Sequence, residues 1–267
     1  MKERIEKERL HLFAPGDVLV THVEIEGIIF EEKLRESVKN AVSKNELLNA
    51  RVVIDKNGSA YYETQKFDEN PNDMVRILHH VYWKDIVNEQ ESIAFDLDHG
   101  ELMRFYYLIN EEKQEFLLIA HAFAGDAISH ALLLNDIMKG LADMPVKAKP
   151  AMLCRMDQLP KESQLSFPEK IKLKGILYNW KKEGTGFSEE EYYQLHAKVW
   201  KNKKTYIQYE TFYKDALYRL AMYAKEHQVT VNSVILTAFA KASRELRHAV
   251  VVDESGRQQT AELKPDE

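Results

Sequence analysis

The chain has 267 residues, a formal net charge of −6 and a sequence pI near 6.0, with 45% hydrophobic and 30% charged residues. That length holds one large domain or two modest ones around a substantial core, and the balance is that of a globular chain and not a disordered one. With no global excess of cations to neutralise a phosphate backbone, no nucleic-acid partner is expected.

The longest apolar run, Phe116 to Ala124, is strand-sized, far short of the roughly 18 residues of a membrane helix, so no membrane span is expected. The single cysteine, Cys154, forms neither an internal disulfide nor a thiolate metal cluster. The opening Met1-Lys2-Glu3-Arg4 leads into no apolar run of signal length, and the expected compartment is the cytoplasm.

Taken in order, Asp17 to Glu24 alternates apolar and polar residues, the period of a half-buried strand. Leu34, Val38, Ala41 and Val42 fall on one face of a helix that follows it. Arg51 to Asp55 and Ser59 to Glu63 read as a hairpin closed through Lys56-Asn57-Gly58, because Asn-Gly supplies the positive φ of a tight turn. Residues 66 to 75, rich in Asp, Asn and Pro, read as a loop.

A second hairpin joins Met103 to Ile109 with Phe116 to Ala120 through Asn110-Glu111-Glu112-Lys113, and its second strand reads as buried on both faces. The chain breaks at Gly125-Asp126. Leu134, Ile137, Met138 and Leu141 then mark a helix for which Asp126 is the natural cap.

Between Pro145 and Lys204 the pattern weakens and lysines outnumber glutamates, a linker with some helix. Leu217, Leu220, Ala221 and Ala224 mark one amphipathic helix; after Thr230, a second cap, Ile235, Ala238, Phe239, Ala242 and Leu246 mark another. Val250 to Val252 starts a strand at most, and 253 to 267 carries no period and is expected to be disordered.

Several features are decoys. His79-His80 with Asp85 downstream is a histidine pair with the wrong spacing for the motif below, since Val81-Tyr82-Trp83-Lys84 intervene and no glycine follows. The histidines show no H-x-x-x-H or H-E-x-x-H spacing on a helix, so no metal is expected. The glycines, Gly184 and Gly186 among them, form no phosphate loop. Ser129 and His130, as helix neighbours, do not face each other and make no catalytic pair. Cys154 reads as an ordinary thiol. The linker lysines read as a solvated face or as a contact for the phosphates of coenzyme A or carrier-bound pantetheine.

Three segments carry a family resemblance. Glu46 to Val53 (ELLNARVV) looks like the helix end and strand start before a hairpin in condensation domains and their chloramphenicol acetyltransferase-like relatives. Phe95 to Arg104 (FDLDHGELMR) is similar to their F-D-L-x-x-G-P-L-x-R, with Glu101 in place of proline. Thr230 to Leu246 resembles the helix opening their second lobe. The catalytic H-H-x-x-x-D-G of that superfamily corresponds to His121-Ala122-Phe123-Ala124-Gly125-Asp126-Ala127.

That resemblance implies transfer of an acyl group from a coenzyme A or carrier-protein thioester, the co-substrate, to an alcohol or amine, with no tightly bound cofactor. It implies that the second histidine is the base, a position held here by Ala122, which leaves His121 as the only candidate. Asp126 inherits the support of the motif loop, as an ion-pair partner, a helix cap or both. The alternative is a catalytically inactive relative that binds an acyl partner or another chain.

The expected fold is α/β, a two-layer lobe with a mixed sheet packed by helices at 1–160, a linker at 161–205, the start of an incomplete second lobe at 206–252 and the tail at 253–267. The later D-F-G-W-G motif of the superfamily has no counterpart. An uncovered lobe face predicts a partner chain or self-association.

Overall fold

A computed structural model describes residues 2–6, 8–56, 58–64, 74–111, 113–151, 165–183, 187–201, 203, 205, 207, 213–245, 250–252 and 258–260. The expected loop of 66–75, apart from its last two residues, Asn57, Cys154, Gly184, Gly186, Leu246 and most of 253–267 lie outside the described residues. The chain divides into two compact units, Met1–Tyr206 and Ile207–Glu267.

In the first unit the strands are β1 (Lys2–Arg4), β2 (Val18–Ile25), β3 (Ala50–Ile54), β4 (Ala60–Thr64), β5 (Val75–His79), β6 (Met103–Ile109) and β7 (Gln114–His121). Its helices are α1 (Glu31–Ser43), α2 (Trp83–Glu91), α3 (Ala127–Leu141), α4 (Phe167–Glu183) and α5 (Glu189–Trp200), with short 3₁₀ turns at Glu8–Phe13, Leu47–Asn49 and Ala122–Ala124.

The main sheet has the order β2-β7-β6-β5. It is mixed: β7 runs antiparallel to β2 and β6, and β5 joins β6 in parallel. A smaller antiparallel sheet, β1-β4-β3, stands beside it in the chain. In β7 Phe116, Leu117, Leu118, Ile119 and Ala120 are each at most 1% exposed, the double-sided burial that the unbroken apolar run predicts. Across from it Phe105, Tyr106, Tyr107 and Leu108 are buried as well. The hairpin turn at Gly58 closes with its N–H donating to the Asp55 carbonyl at 2.9 Å.

Helix α1 buries Leu34, Val38, Ala41 and Val42, the stripe its spacing predicts. Helix α3 packs against it and buries Leu133 and Ile137. The edge strand β5 and helix α2 are additions to the sequence reading: β5 has one deeply buried residue, Val75, and α2 buries only Ile86, Val87 and Gln90. The segment read as a linker also contributes to the unit, since α5 buries Tyr192 and His196.

In the second unit α6 (Lys214–Glu226) and α7 (Val231–Glu245) follow one another, and Thr230 Oγ1 accepts the Ser233 N–H at 3.1 Å, the cap expected there. The short strands β8 (Val250–Val252) and β9 (Gln258–Thr260) pair antiparallel, so part of the segment expected to lack structure forms a ladder. Leu217, Tyr218, Leu236 and Phe239 on the two helices are exposed.

Candidate active site

The candidate motif lies at the C-terminal end of β7. His121 is the last strand residue; its N–H donates to the Leu102 carbonyl at 3.0 Å, and in the ladder it stands opposite Val18. The strand then tightens into the 3₁₀ turn Ala122–Ala124, and His121 acts as the cap of that turn: Nδ1 accepts the Phe123 N–H at 3.2 Å. The ladder of β7 with β2 runs in unbroken register up to His121.

Its ring is 3% exposed, stacked on Phe123 at 4.7 Å between centroids, with Phe95 and Tyr192 edge-on at 5.7 and 6.2 Å. Burial, helped by the positive potential of His11 and His196, pushes its pKa down to about 3. Because Nδ1 accepts a backbone N–H, the neutral ring carries its proton on Nε2.

Ala122, in the second histidine position, is half-buried and donates its N–H to the Asp17 carbonyl at 3.1 Å. Phe123 is fixed from the other side, its carbonyl accepting the buried Tyr62 hydroxyl at 3.1 Å. Gly125 follows with φ of +130°, and a Cβ there would lie 2.6 Å from Ser129 Cβ. The close start of α3 therefore requires glycine.

Asp126 is exposed. Its Oδ1 accepts both the Ser129 N–H at 2.9 Å and the Ser129 hydroxyl at 2.8 Å. Those bonds, the backbone one first, hold its carboxyl below the usual aspartate value. Of the two roles open to Asp126 the cap is the one formed among the described residues.

Ser129 is exposed, whereas its neighbour His130 is 1% exposed, with Nδ1 3.0 Å from Thr21 Oγ1. His79 and His80 are both exposed at the end of β5, and Asp85 lies in the first turn of α2.

The Phe95 to Arg104 segment supports the histidine. Arg104, 5% exposed, lies over the Phe95 ring at 4.1 Å. Its guanidinium donates to Glu101, to the carbonyls of Gln90, Ile93 and Ala94 and to the Gln90 side chain. Phe95 thus has the buried cation on one side and His121 on another.

Two pairs of residues escaped the sequence reading as contributors to the site. Tyr192 and His196 come from α5, whose start carries a legible signal: Ser188 and Glu191 form a reciprocal capping box. His11 and Asp17 pair through Nδ1 and Oδ2 at 2.7 Å, a spacing of six residues that no helical or strand period marks.

A ligand-type grouping among the described residues is His22, Glu24 and Glu115. Lys113 Nζ sits 2.9 Å from both Glu24 and Glu115, and His22 Nε2 is 2.8 Å from Glu115. The Lys113 ammonium already bonds to both carboxylates there and offsets one of their two charges. No described helix is long and apolar enough to cross a membrane.

No protein-family model and no curated protein sequence matches the chain. Among solved structures it is similar to the condensation domain of Monacolin K polyketide synthase MokA, at a TM-score of 0.57 and 9% identity over 90% of this chain and 58% of that one. It is also similar to the first condensation domain of the CDA synthetase, at a TM-score of 0.47 and 15% identity over 55% of this chain and 43% of that one. The chain therefore has a condensation-domain fold, the chloramphenicol acetyltransferase-like α/β architecture that its motifs predict. It spans 58% of the length of the MokA domain.

Proposed function

We propose that the chain carries out condensation-type acyl transfer, moving an acyl group from a coenzyme A or carrier-protein thioester to an alcohol or amine, and that Ala122 impairs this turnover. The observation that carries the reading is the placement of the motif: a buried strand ends at His121, turns through Gly125 and starts a helix capped by Asp126. A positioned base contributes roughly 10²- to 10⁴-fold to such a reaction, because the acceptor must lose its proton as it attacks the acyl carbonyl.

His121 is a poor substitute. Its Nδ1 lone pair is spent on Phe123 N–H, and a group whose pKa lies near 3 takes up a proton at neutral pH only at a steep cost. These same facts favour a second reading, a binding protein without turnover, and the exposed Leu217, Tyr218, Leu236 and Phe239 suit contact with a partner chain or a second copy.

The test is thiol release from a panel of acyl-CoA and acyl-pantetheine donors with small alcohol and amine acceptors. Acceptor-dependent release above the uncatalysed rate supports transfer. Background rates with every pair overturn it and leave the binding protein.

A further inference from the structure

We infer that the His11–Asp17 pair is the proton acceptor of this site, in the role of the histidine that Ala122 replaces; the inference rests on the acyl-transfer reading. His11 lies in the 3₁₀ turn Glu8–Phe13 and Asp17 just before β2. A compact turn holds them together: Ala14 N–H donates to the His11 carbonyl at 3.4 Å and Asp17 N–H to the Ala14 carbonyl at 2.8 Å. Leu12, fully buried, anchors the turn from below, and Trp200 Nε1 reaches the Pro15 carbonyl at 3.3 Å.

The pair is attached to the altered motif at two points. The Asp17 main chain accepts the N–H of Ala122 itself at 3.1 Å, and the His11 ring meets the Phe123 ring edge-on, 6.0 Å between centroids. A carboxylate on Nδ1 fixes the tautomer in which Nδ1 carries the proton and Nε2 presents its lone pair. No partner takes that Nε2 among the described residues, and the side chains of His11 and Asp17 are 32% and 47% exposed. His121 shows the contrast: buried, with its free lone pair consumed by the backbone.

In the step assigned to the pair, His11 Nε2 takes the proton of the acceptor O–H or N–H while the acceptor's oxygen or nitrogen bonds to the thioester carbonyl carbon. The tetrahedral intermediate then collapses, the C–S bond breaks, and the imidazolium returns the proton to the departing thiolate. Asp17 Oδ2 keeps its bond to Nδ1–H and orients the imidazolium between the two transfers.

The experiment is thiol release by the wild type, His11→Gln and Asp17→Asn across pH 5 to 9, with folding of each variant checked by thermal melting. The expected result is a loss of about 10²-fold or more in kcat for His11→Gln. A smaller loss is expected for Asp17→Asn, because an amide on Nδ1 no longer fixes the tautomer in which Nε2 presents its lone pair. Should His11→Gln fail to fold, carbethoxylation of the wild type with diethylpyrocarbonate, mapped by mass spectrometry, gives the same information: activity must fall in step with modification of His11. Wild-type turnover that survives loss or modification of His11 overturns the dyad and leaves acyl transfer standing. A wild type inactive with every donor and acceptor overturns both.

Discussion

Glu101 and Arg104 meet in a forked pair, Nε to Oε1 at 2.9 Å and Nη2 to Oε2 at 2.8 Å. Position 101 is where the similar motif has proline, and the departure has a physical purpose here: the carboxylate neutralises the buried arginine of its own segment. Burial pushes the Glu101 carboxyl up, but the bonds from Arg104 and from the Asp96 N–H outweigh it and hold the group below its usual value. A carboxyl with a depressed folded pKa stabilises the fold above its unfolded value, near 4.3, and that contribution fades as pH falls through the folded value.

Replacing Glu101 by Gln is therefore expected to cost about 1–3 kcal/mol at pH 7, the cost of leaving a buried charged donor underpaired. Urea unfolding at pH 7 and at pH 3.5 checks this. The gap between wild type and variant must narrow at the acid end, and an equal gap at both pH values rules out the pair as its source.

His121 makes the opposite kind of contribution. A histidine whose pKa is pushed down to about 3 is neutral in the fold while the unfolded chain, near 6.5, takes up a proton. The unfolded state binds more protons between those values, so stability is full above about 6.5 and declines as the pH drops toward 3. At pH 5 the deficit from this one residue is about 2 kcal/mol. His121→Phe keeps the stacking on Phe123 without the titration, and should lose less stability than the wild type between pH 7 and pH 5. His130 and His196 are also lowered by burial, but they are common to both proteins and cancel in the comparison. Parallel pH curves for the two proteins refute the assignment.

Gly125 and Asp126 separate the two roles that the motif aspartate was given. Gly125→Ala forces a side chain into φ of +130° and against Ser129, and should cost roughly 2–4 kcal/mol from backbone strain and overpacking together. Asp126→Asn keeps a good capping oxygen, so a pure cap predicts a loss under about 0.5 kcal/mol, whereas Asp126→Ala should lose about 0.5–2 kcal/mol. A loss for Asp126→Asn as large as for Asp126→Ala would show that the negative charge, and not the cap, holds the loop.

How much of this was legible in the sequence follows from what each element depends on. The strands at 103–109 and 114–121 and the helix after Asp126 are local consequences of apolar run, period and capping residue, and they stand where the pattern puts them. The strand at 75–79 borrows its stability from the ladder with β6, having one deeply buried side chain of its own, and so left no period to read.

The helix at 189–200 was obscured by the charged residues of its outer face, although its capping box was visible. The environment of His121 was the least legible feature. It depends on Phe95 and Tyr192, which are distant in the chain, and on a hydrogen bond to Phe123 that exists only because the strand ends in a tight turn.

Ala122→His tests the site as a whole. Position 122 is half-buried, its N–H is already held by Asp17, and the turn that carries it is fixed by Tyr62 on Phe123. The frame for a second histidine is therefore in place. With His11 changed to Gln, adding Ala122→His should raise thiol release by about 10²- to 10⁴-fold, the usual worth of a positioned base. In the wild-type background the rise should be smaller, because His11 already accepts the proton and two bases acting on one acceptor cannot contribute independently. A full rise in both backgrounds means that His11 takes no part. No rise in either means that a histidine at position 122 does not reach the acceptor, and only where the wild type is also at background does it leave the condensation fold for binding alone.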